Sequence, residues 1–183
     1  MVDGMAEGAL LVAFVTLQRL VELLHARRNT QRLLAEGGIE FGRSQYRWMV
    51  ALHSAWLIGL WWFGHGRPVD AVLLGIFVLL QVGRLWVIAS LGRRWTTRII
   101  VLPRAPLVAS GPYRWLKHPN YLIVALEMAV VPLALGLPIF AAIFTLLNAC
   151  ILYLRIRAEN AALAQAAGLD AAAQTLANES RSL

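Results

Sequence analysis

Apolar residues run along this chain in long blocks, separated by short stretches dense in arginine. A membrane-crossing helix needs roughly 20 mostly apolar residues. The blocks at about Ala9–Leu24, Trp48–Phe63, Val69–Leu91, Tyr121–Leu135 and Pro138–Leu154 approach or meet that length. They predict an all-α, polytopic membrane helix bundle with about five transmembrane helices. The first block carries Arg19 and Glu22 in its second half and follows no basic segment, so it reads as a span rather than a cleaved signal. Gly136-Leu137-Pro138 joins the last two blocks, a glycine–proline link that predicts a tight helical hairpin. From Ala161 onward the chain is Ala-rich and weakly amphipathic, which predicts a short cytoplasmic helix with a frayed end. No repeat or linker divides residues 1–183, so they read as one domain.

Composition strengthens this picture. Hydrophobic residues make up 59% of the 183 and charged residues only 15%; about 25% charged is usual for a soluble domain. The chain holds 17 Lys+Arg against 10 Asp+Glu, a balance that in a soluble protein would suggest nucleic acid. The placement of the charges points to a membrane instead. With five spans, 14 of the 17 basic residues fall on one side, in residues 25–47, 92–118 and the C-terminal segment. Arg67 falls alone on the other side, and Arg19 and Arg84 lie within spans. Lysine and arginine favour cytoplasmic loops, so the N-terminus is expected outside and the C-terminus inside. Cys150 is the single cysteine, which excludes an internal disulfide. Four scattered histidines lack metal-ligand spacing, and no metal is expected. The tryptophans around Trp48 to Trp62, with His53 and His65, read as interfacial and packing residues.

Ionisable side chains inside a span are costly and tend to mark function. Gln18, Glu22, His25 and Asn29 share one helical face, as do Gln81 and Arg84, Asn120 and Glu127, and Asn148, Arg155 and Glu159. Individual pairs such as Arg19–Glu22 or Arg84–Glu127 could simply tie helices together. The collection, concentrated at cytoplasmic helix ends, predicts a polar pocket opening there.

The densest chemistry lies between the third and fourth spans, in Gly92-Arg93-Arg94-Trp95 and in VASGPYRWLKHPNY over residues 108–121. Gly111-Pro112 is a turn signal, and Pro119 suits the first turn of the fourth helix. His118, Asn120 and Tyr121 then stand at that helix's positive end with Arg114 and Lys117 nearby, a setting that favours an anion.

GPYRWLKHPNY, followed by the hairpin and RIRAEN, resembles the isoprenylcysteine carboxyl methyltransferase family over about residues 84–163. The matching positions are Gly111, Pro112, Tyr113, Lys117, His118, Pro119, Tyr121, Arg155, Ile156, Glu159 and Leu163. Ile123 stands where the family often has glycine, and Asn160 replaces the second of its paired glutamates. The resemblance implies a membrane enzyme using S-adenosylmethionine. Gly111, Tyr113, Lys117, His118, Pro119, Tyr121 and Glu159 would then form the cofactor site. Arg155 would orient an acidic acceptor, and His118 or Glu127 would serve as base for a phenol or enol. The N-terminal half is similar to a bacterial branch whose members can accompany type III polyketide synthases, implying a cytoplasmic-membrane location. Such members methylate alkylpyrone or alkylresorcinol lipids. The expected acceptor is therefore lipophilic and membrane-resident, with a prenylated cysteine as the alternative. A scaffold or transporter is the rival class: the absence of inverted repeats disfavours a transporter, and a scaffold has no need of the motif pair.

Overall fold

The computed structural model describes residues 2–103 and 105–179, and among these it forms five α-helices and one two-stranded sheet. In chain order the elements are α1 (Val2–Ala35), β1 (Ile39–Phe41), α2 (Arg43–Gly64), α3 (Ala71–Leu91), β2 (Ile99–Val101), α4 (Pro119–Ala134) and α5 (Pro138–Glu179). Short 3-10 turns cover Gly92–Arg94 and Gly111–Arg114. Local chemistry sets several ends. Asp70 caps α3 by accepting the Leu73 amide at 2.9 Å, and Pro119 opens α4. Gly136, with φ of 66°, makes the turn into α5.

Three segments are long and apolar enough to cross a membrane: Ala6–Ala35, Ala71–Arg94 and Pro138–Ala166. At 1.5 Å per residue the 16 residues of α4 span about 24 Å, less than a hydrocarbon core of about 30 Å. α5 differs from expectation. Its 42 residues are continuous, so the short helix expected from Ala161 is the continuation of the fifth-span helix. No glycine or proline occurs between Pro138 and Gly168 to stop it. Residues 180–183, Arg181 included, lie outside the described residues, as does Arg104.

The burial pattern inverts that of a soluble protein. Leu10, Leu17, Leu20 and Leu24 of α1, Leu79 and Leu85 of α3, and Ile139 and Leu146 of α5 face outward. Arg84, Glu127, Asn148 and Arg155 are buried. An apolar core of Val12, Val15, Trp56, Leu60, Met128 and Val131 joins α1, α2 and α4. Beside it sits a closed polar cluster. Glu127 accepts from Arg84 Nε at 2.9 Å, from Gln81 Nε2 at 2.8 Å and from Arg19. Glu22 accepts from Arg19 at 2.8 Å, Arg84 at 3.1 Å and Gln18 at 2.9 Å. Two guanidiniums thus meet two carboxylates, a neutral arrangement suited to an apolar medium. The expected polar collection is therefore divided: this part ties α1, α3 and α4 together and does not line the cavity at the arginine-rich end.

The opposite end of the bundle carries Arg67, which donates to the Gly136 carbonyl at 3.3 Å beside the hairpin turn. The Asp70 amide donates to the Ala134 carbonyl there, at 2.9 Å. If all five blocks cross, as the sequence predicts, reporters placed at Arg67 and after Leu183 register opposite sides of the membrane. A common side for both would overturn the five-span topology.

Candidate functional site

At the arginine-rich end, the helices outrun the apolar layer and enclose a cavity of about 420 Å³, within the usual range for ligand sites of about 300–1,000 Å³. The last turns of α1 and α3 contribute Leu33 and Leu91, and β2 and the loop after it form one wall. The start of α4 and the extension of α5 form the other, with Arg155, Glu159 and Leu163 one turn apart on a single face. The unbroken course of α5 past Leu154 is what brings Arg155 and Glu159 beside His118 and Tyr121.

These four side chains interlock. The Tyr121 hydroxyl donates to Glu159 Oε2 at 2.6 Å and accepts from Arg155 Nε at 2.9 Å. Arg155 Nη2 donates to the Thr97 carbonyl at 2.6 Å. The His118 ring stacks on Tyr121, centroids 5.3 Å apart, with Nδ1 3.7 Å from Glu159 Oε2. His118 Nε2 and Asn120 Oδ1 are buried at the cavity without a partner among the described residues. Such atoms are costly unless a ligand or water satisfies them. Burial, reinforced by the Glu159 charge, pushes the Tyr113 phenol up to about 12, so at neutral pH it keeps its proton and is a donor.

Of the residues singled out in the sequence, Tyr113, Lys117, His118, Tyr121, Arg155 and Glu159 line the cavity. Gly111 and Pro119 do not. Gly111 has φ of 59°, and a Cβ there would lie 2.0 Å from Ser90 Oγ; it lets the loop pack on the end of α3. Pro119 is buried at the first turn of α4. Glu127 lies nine residues into α4 from His118, about 13 Å along the axis, and its carboxylate is occupied by Arg19, Arg84 and Gln81. It does not line the cavity. Ile123 fills the space over Gly83, its Cδ1 at 3.4 Å from a Cβ built there. The Asn160 side-chain oxygen is buried without a partner among the described residues.

Sequence reasoning marked the segment of Arg94 and Trp95 but gave those residues no role, and it missed Arg98 and the Thr97 backbone; all contribute to the cavity wall or its support. A signal was present for Trp95: buried Asn29 donates to its carbonyl at 2.8 Å, and His25 stacks on its ring. These are the last two members of the polar face read on α1.

Comparison with known proteins places these motifs. The model of the isoprenylcysteine carboxyl methyltransferase (ICMT) family matches residues 73–165. The uncharacterized protein YpbQ of Bacillus subtilis (strain 168) is 38% identical over 167 residues, covering 84% of this chain and 95% of that protein. An uncharacterized protein of Haemophilus influenzae is 25% identical over 146 residues, 76% of this chain and 82% of its own length. No solved structure matches.

Proposed function

The chain belongs to the isoprenylcysteine carboxyl methyltransferase family of membrane methyltransferases, and from that premise we propose that it moves a methyl group from S-adenosylmethionine to the acidic head group of a lipophilic, membrane-resident acceptor. The observation that carries this reading is the interlocked Tyr121–Glu159–Arg155 group beside the unpartnered His118 Nε2 and Asn120 Oδ1 in the wall of one cavity. Those residues fit the cofactor: it presents hydroxyl, amino and ring-nitrogen groups, and the cavity offers a carboxylate, an amide oxygen and a ring nitrogen for them. When bound, S-adenosylmethionine supplies an electrophilic methyl group on a sulfonium.

The chain's own part is then placement and exclusion of water. Glu159, with its Oε2 held by Tyr121, accepts from cofactor hydroxyl or amino groups. His118 and Asn120 satisfy its polar edge, and Tyr113 donates from its protonated phenol. Arg155, with Nε and Nη2 committed to Tyr121 and Thr97, orients an acceptor anion with the N–H groups that remain. A carboxylate acceptor is already ionised and calls for no base; for an enol or phenol, His118 lies at the cavity and Glu127 does not.

Support for a lipidic acceptor is physical. A soluble fold can bind the same cofactor without embedded helices, whereas this cavity has apolar walls of Leu91, Leu102, Leu107 and Val108 beside its polar ones. An acceptor whose tail stays in hydrocarbon gains about 0.8 kcal/mol per CH₂. Each CH₂ removed from an acceptor should therefore raise KM roughly fourfold. The test uses alkyl-substituted hydroxypyrones and resorcinols of graded length beside a farnesylated cysteine, each with labelled cofactor. Strong turnover of short, water-soluble acceptors would sink the lipid reading. Turnover of farnesylcysteine alone would assign the acceptor named by the family.

A further inference from the structure

The family model begins at residue 73, yet the α1–α2 connection reaches the cavity through one carboxylate. β1 pairs antiparallel with β2, Glu40 opposite Ile100 and Phe41 opposite Ile99. The Glu40 side chain is 4% exposed and accepts from Arg98 Nη1 at 2.9 Å and from Arg43 Nε at 3.1 Å. The Arg98 guanidinium also lies over the Tyr46 ring, 4.7 Å from its centroid. Arg98 directly follows Thr97, whose carbonyl is the second anchor of Arg155.

We propose that Glu40 is a positioning residue for methyl transfer: by clamping Arg98 it fixes the bend leading into β2, which presents the Thr97 carbonyl to Arg155. The proposal rests on the reading of Arg155 as the residue that orients the acceptor. A guanidinium is planar, so two fixed acceptors set its plane. With Nε on Tyr121 and Nη2 on Thr97, the Arg155 fork is defined; with only Tyr121 left, it pivots. The three-residue strands are too short to hold that carbonyl by pairing alone, since isolated two-stranded ribbons are marginal. The Glu40 carboxylate, buried between the two partly exposed guanidiniums of Arg98 and Arg43, supplies the missing rigidity. Glu159, His118 and Asn120 sit on α4 and α5, outside this clamp, so cofactor binding does not depend on it.

The test is Glu40→Gln, which keeps the side chain's shape but turns an amide N–H₂ toward cationic donors. Acceptor kcat/KM, counted per cofactor-binding site, should fall about tenfold, a loss of roughly 1.4 kcal/mol. Affinity for S-adenosylmethionine should stay within about twofold of wild type. In an Arg155→Lys background the same substitution should cost less than about twofold, because groups acting through one another are non-additive. Equal cost in both backgrounds would overturn the proposal, as would a loss fully explained by a smaller folded fraction. Swapping the pair, Glu40→Arg with Arg98→Glu, should recover part of the loss; no recovery counts against the clamp. If the wild-type protein transfers no methyl group to any lipid acid, the proposed reaction fails, and the Arg155 Nε–H nuclear magnetic resonance signal judges the clamp independently. A shift of that signal in Glu40→Gln upholds it, and an unmoved signal overturns it.

Discussion

Glu127→Ala should destabilise the bundle by about 3–5 kcal/mol, the cost of stranding a buried charge by removing its partner. The substitution leaves Arg19 and Arg84 sharing Glu22 alone, an uncompensated positive charge among α1, α3 and α4. The carboxylate it removes is 1% exposed and ties together helices that turn Leu17, Leu20, Leu85 and Leu126 outward. Removing one charge of each sign, with Glu127→Leu and Arg84→Met together, leaves the neutral Arg19–Glu22 pair at 2.8 Å and should recover most of the loss. Thermal unfolding in detergent checks both. A single variant as stable as wild type, or a double variant less stable than the single, would contradict the reading of the cluster as a structural tie. Glu127→Gln separates this role from a catalytic one: loss of turnover per cofactor-binding site at unchanged melting temperature would restore Glu127 as a base.

Glu159→Gln should weaken S-adenosylmethionine binding roughly 10- to 100-fold, since hydrogen bonds to a charged partner are worth about 1.5–3 kcal/mol. The amide retains one acceptor oxygen but loses the charge that the Tyr121 hydroxyl meets at 2.6 Å and the His118 ring approaches to 3.7 Å. His118→Ala should act in the same direction by deleting the Nε2 atom that faces the cavity. Titration calorimetry on purified protein in detergent reads both, with the melting temperature as a check on folding. Affinity unchanged in both variants would remove the cofactor from this cavity.

The part of the site legible in the sequence was the part carried by local motifs. Tyr113, Lys117, His118 and Tyr121 stand within nine residues, and Arg155 and Glu159 are one helical turn apart. Spacing of that kind survives any packing, because a helix holds i and i+4 on one face whatever surrounds it. The hydrophobic blocks likewise announced five helices, since apolar length is a property of the chain and the bilayer rather than of contacts. Even the Arg19–Glu22 and Arg84–Glu127 pairs were open to reading as ties, though the pattern could not separate them from a pocket.

Only the tertiary structure decided where those residues go. Asn120 and Glu127 share a face of α4, yet one borders the cavity and the other is enclosed by arginines of α1 and α3. Asn148 and Arg155 share a face of α5, and only Arg155 reaches the cavity. Along a helix, depth in the bundle changes by 1.5 Å per residue, and a shared stripe says nothing about which neighbour each turn meets. The β1–β2 pairing and the Glu40–Arg98 clamp join positions 58 residues apart, across two helices. Three-residue strands carry no period long enough to read, so that contact exists in the sequence only as two unrelated charges. α1 and α5 continue without a break past the apolar layer, and Leu33 of the one and Arg155, Glu159 and Leu163 of the other line the same space. The motif residues belong to the chain; the cavity they face was made by the length and direction of the helices around them.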